Sequence, residues 1–396
     1  MKKITGSLIV LLVLSGIVMS QHKPRARDLG ISFDGTPGRL NAITDVTGVE
    51  VGQTTLISGD GALKVGMGPV RTGVTGVLPR GKNSTQPVFA AWFSLNGNGE
   101  MTGTTWIEES GFLEGPLMIT NTHSVGVVRD AVIAWQVQTK RRPPLNSFGE
   151  DFWSLPLVAE TYDGFLNDIN GFHVKQQHVF DALNNAGSTT VAEGNVGGGT
   201  GMICYGFKGG IGTASRKLSE ELGGYTVAAL VQCNCGRRGQ LMVAGVPVGR
   251  EISEDLPTAR ANDVMTGDTG SIIIVIATDA PLLPHQLKRL ARRASMGLAR
   301  TGSTSGNGSG DIFVAFSTAN AEALRLPTTQ VTMLGNNRIN PVFDATVQVV
   351  EEAIINSMVA AETMTGINNR KVIALPHDRL RRMMQDYRPP VERRAR

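Results

Sequence analysis

The chain has 396 residues, 41% of them hydrophobic and 18% charged, with 38 Lys and Arg against 34 Asp and Glu. That balance excludes a disordered or fibrous chain and supplies a buried core for one large domain or two ordinary ones. The formal charge is only +4, so nucleic acid is not an expected partner; a basic arm at residues 379–396 touching nucleic acid or anionic lipid is the lesser alternative to a solvated end.

Residues 1–20 read as a signal peptide. Lys2 and Lys3 give a positive start, residues 8–14 an apolar stretch, and Val18 and Ser20 the small residues before a cleavage point at Gln21. The apolar run is too short, and too broken by Ser15 and Gly16, to span a membrane. The expected mature chain is periplasmic or secreted, nearly neutral, and free of stable membrane association. The basic end, residues 379–396, reads as a solvated, frayed tail.

Next come short apolar runs between glycine-rich turns, over residues 28–130. Residues 88–95 and 115–121 are expected strands, with Pro87 tolerated at the start of the first. A helix is expected over 124–137 on Val125, Val128, Ala131, Ile133 and Trp135. Residues 138–155, with Pro143 and Pro144, read as a loop. Residues 191–212 are the richest glycine stretch. Residues 226–232 are β-like, and 236–268, with Pro247 and Pro257, read as a long exposed loop. The β-branched run 271–277 does not alternate, which suits a strand covered on both faces. Pro284 opens a helix whose buried face is Leu287, Leu290, Ala291, Ala294 and Leu298. Residues 302–310 form a second glycine-serine loop, and Asp311 leads into a strand over 312–316. A long helix over 344–363 carries the stripe Val347, Val350, Ile354, Met358 and Ala361, with Gly366 as its stop. Mixed strands and helices give α/β or α+β layers in a single domain.

Cys204, Cys233 and Cys235 are odd in number, so a complete disulfide framework is excluded. One residue between the last two is a poor zinc spacing, and no histidine pair lies near. A disulfide from Cys204 to either of the others stays open. The stretches 194–201 and 206–212 lack the ending of a phosphate-binding P-loop and the dinucleotide fingerprint. They suit close backbone packing. His123, in a strand-to-helix turn, reads as a structural hydrogen-bonder rather than a general base.

The segment Thr266-Gly-Asp-Thr-Gly270-Ser271 lies between a polar loop and the buried strand. A serine after glycine at a strand mouth can attack the preceding carbonyl and cut its own chain. The cut frees an α-amine, whose reference pKa of about 7.7–8.0 lets it act as general base beside its own hydroxyl. The ordinary alternative is a strand start after a turn.

Further blocks decide between them: Asn121-Thr-His-Ser-Val-Gly126, Glu160-Thr-Tyr-Asp-Gly164, Glu193-Gly-Asn-Val-Gly-Gly-Gly-Thr-Gly-Met202, Phe207-Lys-Gly-Gly-Ile-Gly-Thr213 and Ser309-Gly-Asp311. With Gly270-Ser271 and its Ile-rich strand, these resemble, in order, the L-aminopeptidase D-amidase/D-esterase and β-peptidyl aminopeptidase family. The resemblance covers most of the mature chain. It implies an α+β fold, a four-layer α-β-β-α sandwich like that of N-terminal-nucleophile hydrolases and ornithine acetyltransferases. It implies self-cleavage into an α chain, 21–270, and a β chain, 271–396. Ser271 then matches the nucleophile and Asn234 the oxyanion donor. Ser309 and Asp311 match a hydroxyl and carboxylate beside the nucleophile. Some relatives carry glutamate there, so the shorter Asp311 reaches less far. Tyr162 matches an active-site tyrosine, and Glu160 an acid that holds the substrate's free amine.

The implied enzyme is an aminopeptidase or amidase for small peptides and amino-acid amides. Its family handles L-, small D- and β-residues and assembles as homotetramers of αβ units. The implied chemistry calls for no metal or organic cofactor. Two alternatives are an acyltransferase of the ornithine acetyltransferase type and a non-catalytic binding protein on the same scaffold. The first uses threonine at the new N terminus and works in the cytoplasm, against which stand Ser271 and the signal peptide.

Overall fold

The structure, a computed structural model, describes residues 23–141, 147–148, 151–257, 270–324 and 328–387. The expected signal peptide, residues 266–269 of the Gly-Ser segment and residues 388–396 of the tail lie outside them. The strands of the two main sheets are β1 (Glu50–Ser58), β2 (Val70–Leu78), β3 (Val88–Ser94), β4 (Phe112–Leu113), β5 (Leu117–Asn121), β6 (Leu157–Thr161), β7 (Gly210–Lys217), β8 (Thr226–Asn234), β9 (Ser271–Thr278) and β10 (Gly310–Ser317). The helices of about two turns or more are α1 (Thr104–Ser110), α2 (Val125–Gln138), α3 (Gln176–Asn184), α4 (Pro284–Arg300), α5 (Asn340–Val359) and α6 (His377–Asp386).

One sheet has the order β1-β2-β5-β6 and the other β7-β8-β9-β10-β3-β4. The pairs β5–β6 and β9–β10 are parallel. Parallel neighbours need a crossover connection, and α2 and α4 lie on these two. Strand β9 shows why its sequence does not alternate. Ile272, Ile274 and Ile276 pack with Leu287, Leu290 and Leu298 of α4 and with Val350 and Ile354 of α5. Ile273 and Val275 pack with Leu117, Ile119, Leu157 and Ala159 of the other sheet. Met118 and Val158, on that sheet's far face, join Val128, Val132 and Trp135 of α2 and Val179 and Leu183 of α3. Each such buried aliphatic side chain contributes about 1.5–3 kcal/mol. Burial on both faces therefore makes β9 a rigid platform for the residue at its mouth.

Several expectations need correction. The last long helix runs Asn340–Val359, not 344–363, because Pro341 fixes its first turn. Gly366 lies well beyond its end. Its exposed stripe is narrow, since α5 packs on β7, β8 and α4 together. The stretch 236–257 is not an exposed loop: Leu241, Val243, Val246, Val248 and Ile252 are buried in the core under α4 and α5. A short pairing of Ser147–Phe148 with Asp151–Phe152 interrupts the expected loop at 138–155. The basic end is not frayed from Arg379 onward, because α6 buries Leu380 and Met384.

Two further devices tie the fold together. Glu352 of α5, its side chain fully buried, takes Arg27 at 2.7 Å and Arg216 at 2.7 Å. Cys204 and Cys233 form a disulfide, and Cys235 is buried beside them with its sulfur 3.9 Å from that of Cys233. This settles the pairing that the sequence leaves open.

Candidate active site

Ser271 is the first residue of β9 and is buried. It pairs with Asn234, the last residue of β8, on one side, and with Gly310, the first of β10, on the other. The two neighbouring strands thus bring three residues far apart in sequence to one point. The backbone N–H of Gly310 lies 3.3 Å from Ser271 Oγ and 3.2 Å from the carbonyl oxygen of Gly270. One donor therefore touches both the candidate nucleophile and the carbonyl of the bond before it.

Asn234 is locked from two sides. Its Oδ1 accepts from the N–H of Ile203 at 2.7 Å, and its Nδ2 donates to the carbonyl of Tyr162 at 3.0 Å. The amide nitrogen carries a second hydrogen, and Asn234 lines a cavity of about 320 Å³ with Tyr162, Phe165, Ile203 and Gly270. The Tyr162 side chain is 48% exposed there, its ring lying over Gly164. Burial, with the charge of Asp163, raises its hydroxyl pKa, and Arg370 opposes them. Asp163 itself is fully buried, which pushes it up to about 6 against hydrogen bonds from Thr72, Asn167 and Asn121.

Ser309 and Asp311 flank Gly310 and are both buried. The Ser309 hydroxyl donates to Asp311 Oδ1 at 2.7 Å. Asp311 is the register partner of Ile272, so strand alternation sets it on the face opposite the Ser271 side chain. Asp311 therefore does not share the face of the Ser271 hydroxyl, and the pair stands at the start of the strand beside Ser271.

Glu160, near the end of β6, is also buried. Its Oε1 accepts from the N–H of Glu100 at 2.9 Å, and its Oε2 pairs with the Thr122 hydroxyl. Burial raises its pKa against these hydrogen bonds, and Glu100 adds to the rise while His123 opposes it. A Cβ placed on Gly99 would stand 3.5 Å from Glu160 Oε1 and 3.2 Å from the Cα of Gly310. The acid thus reaches the neighbourhood of Ser271 through a gap kept open by glycine, and it does not line the 320 Å³ cavity. His123 is exposed and stacks on Phe172, with ring centroids 6.0 Å apart. It is neither the structural hydrogen-bonder that its turn suggests nor placed as a base.

The three cysteine sulfurs lie within 4.8 Å of one another, the one cluster of metal-ligand type among the described residues. Two of them are joined as the disulfide. Four residues at the site have no role that the sequence alone assigns: Gly310 through its N–H, Thr122, and the arginines Arg237 and Arg370 on the cavity wall.

The sequence pattern of Peptidase family S58 matches residues 41–372. The chain is 54% identical over 393 residues to the Beta-peptidyl aminopeptidase BapA of Sphingosinicella microcystinivorans, covering 96% of this chain and 97% of that protein. It is 49% identical over 388 residues to the BapA of Sphingosinicella xenopeptidilytica, with 96% and 95% covered. The solved L-aminopeptidase D-Ala-esterase/amidase of Ochrobactrum anthropi is described as a prototype for the serine aminopeptidases and a new variant among the Ntn hydrolase fold. It superposes with a TM-score of 0.84 at 48% identity, over 92% of this chain and 99% of that one. The mixed α/β arrangement of the two sheets and their helices matches that structure.

Proposed function

The chain belongs to peptidase family S58 and is an aminopeptidase, and from that premise we propose that it is exported, cuts itself before Ser271, and then hydrolyses N-terminal residues through an acyl-enzyme on that serine. The carrying observation is the Gly310 N–H shared between Ser271 Oγ and the Gly270 carbonyl oxygen. Ser271 Oγ attacks the Gly270 carbonyl carbon, and the N–H steadies the negative charge that develops on the oxygen. The Gly270–Ser271 amide bond breaks, leaving an ester to Oγ and a free α-amine on Ser271. Water then hydrolyses the ester to a Gly270 carboxylate and the serine hydroxyl.

The mature site uses the same atoms on substrate. The Ser271 amine takes the hydroxyl proton during attack and returns it to the leaving amine. The Ser309–Asp311 pair holds that amine in place. Asn234 Nδ2 and the Tyr162 hydroxyl face the oxyanion, and Glu160 pairs with the substrate's ammonium group. An exopeptidase follows, since only a chain end carries that charge. The two curated relatives are named for β-peptides and the solved relative for L-residues and D-Ala esters and amides. The substrate class proposed is accordingly short peptides and amides with a small N-terminal residue, a β-amino acid foremost.

The same reading includes a single catalytic domain, an α-β-β-α layering supported by the three cores, and a homotetramer of αβ units in the periplasm or outside the cell. Intact-mass spectrometry of purified protein beside Ser271→Ala tests it. The expected result is two fragments that meet between Gly270 and Ser271, the larger starting near Gln21, and one chain in the variant. A single uncleaved wild-type chain after prolonged incubation would overturn the mechanism.

A further inference from the structure

Among the described residues, the cavity beside Ser271 is lined by charge of one sign. Among the described residues its lining has no Asp or Glu, yet it includes Arg237, Arg238 and Arg370. Arg238 is committed elsewhere, donating to the carbonyls of Tyr205, Gly206, Ile252 and Glu254. The other two are not so committed. Arg370 lies over the Phe165 ring, 5.1 Å from its centroid, and makes one 3.3 Å contact to the Phe165 carbonyl. Its Nε is buried without a hydrogen-bond partner. Arg237, three residues after Asn234 in the chain, is exposed and also lines the cavity. Neither arginine is in an ion pair with a described residue.

A guanidinium left with open donors in a half-enclosed cavity suits a planar anion, above all a carboxylate, which it can grip with two parallel hydrogen bonds. The same charge repels an ammonium group. The substrate's amine therefore belongs with Glu160, which is outside this cavity. A short peptide has one other charged end. We propose that Arg370, with Arg237, forms a subsite for the C-terminal carboxylate of the leaving group, which makes the enzyme select di- and tripeptides over their amides. This rests on the Ser271 aminopeptidase reading and specifies its substrate. Size agrees: about 320 Å³ is at the small end of ligand pockets, which run roughly 300–1,000 Å³. The apolar wall of Phe165 and Ile203 then takes the leaving residue's side chain.

The test compares kcat/KM for a β-alanyl dipeptide and for the same dipeptide amidated at its C terminus, in processed enzyme. A charge-assisted hydrogen-bond pair predicts an acid-to-amide ratio of roughly tenfold or more in the wild type. The ratio should fall to about one in Arg370→Gln, be largely kept in Arg370→Lys, and drop partway in Arg237→Gln. Both substrates meet the same protein, so loss of fold lowers both rates and leaves the ratio alone. Product inhibition needs no variant: the free leaving amino acid should inhibit wild-type enzyme and its amide should not. A wild-type ratio near one, or one unchanged in Arg370→Gln, overturns the subsite. A further arm compares β-linked aspartyl and asparaginyl N-terminal residues on the amide. If Arg370→Gln acts on that difference instead, the cavity holds an acidic side chain of the acyl residue and the proposal fails. Full turnover by Ser271→Ala would sink the nucleophile assignment rather than the subsite, so the two failures are distinct.

Discussion

The carbonyl oxygen of Asn234 lies 2.0 Å from the point where a Cβ on Gly270 would stand. The obstacle is backbone at the end of a sheet strand, so it cannot swing aside as a side chain would. Glycine is thus required before Ser271, the proposed nucleophile, for space. Alanine there must push the Gly270 carbonyl off the Gly310 N–H or push Asn234 out of register with Ser271. Gly270→Ala should therefore slow self-cleavage on the order of 10²-fold, the usual cost of displacing reacting groups by about 1 Å. A time course of intact mass after purification reads it. Maturation at the wild-type rate would show that this contact does not set the attack geometry.

The proposed amine-binding role of Glu160 predicts a pH dependence. Burial favours its neutral form and raises its pKa, above an ordinary glutamate of about 4.3. The ionised form is the one that holds an ammonium group. Activity on free-amine peptides should thus decline as pH falls through this raised value, earlier than an exposed carboxylate would allow. Glu160→Gln should raise KM for these substrates, remove the acidic limb from kcat/KM, and leave self-cleavage nearly intact. The sign for stability is opposite. A raised folded pKa gives stability that is present in acid and lost as pH rises, so the Gln variant should melt at or above the wild-type temperature near pH 7. Equal loss of self-cleavage and peptidase activity would exclude the amine-binding role.

What could be read from the sequence follows from what each feature needs. The run at 271–277 and the helix from Pro284 were legible because composition alone encodes burial on both faces and an amphipathic stripe. Strand β7 was hidden, since Gly210 and Gly212 lower β propensity while making room for Gly194 and for α5. The stretch around Val243 looked like a loop because glycine and proline separate its apolar residues. Yet those residues are core. Asn234 and Ser309 were found through resemblance to a family, because 37 and 38 residues separate them from Ser271. The Gly310 N–H could not be found at all, since a backbone donor has no residue type. Arg237 and Arg370 look like any surface arginines until the fold sets them on one cavity.

The disulfide bears on Asn234. Cys204 follows Ile203, whose N–H fixes Asn234 Oδ1, and Cys233 precedes Asn234. The bridge therefore clamps Asn234, the proposed oxyanion donor, to the residue that orients it. Its sequence separation is 29, for which loop entropy gives about 3–4 kcal/mol. Cys204→Ser should lower urea stability by about that amount and reduce kcat more than it raises KM. An unchanged kcat in the folded fraction would mean that the strand pairing holds Asn234 unaided.

Glu352 tests the distant ion-pair cluster. Burial alone would raise its pKa, but the Arg27 hydrogen bond, the Arg216 charge and the Asn41 amide prevail and leave it lowered. A lowered folded pKa gives stability that is present above the unfolded value, about 4.3, and lost as pH falls through the folded one. Arg216 has 1% side-chain exposure, whereas Arg27 has 29% and can relax toward water. Glu352→Gln strands the first of these. It should cost about 3–5 kcal/mol in urea unfolding at pH 7, the usual result of removing one partner from a buried pair. The gap between wild type and variant should begin to shrink as pH falls below the unfolded value and close only below the lower folded one, where the wild-type acid also loses its charge. A gap under about 1 kcal/mol at pH 7 would put this pair with exposed salt bridges in energetic worth. The clamp of α5 on β7 would then rest on apolar packing alone.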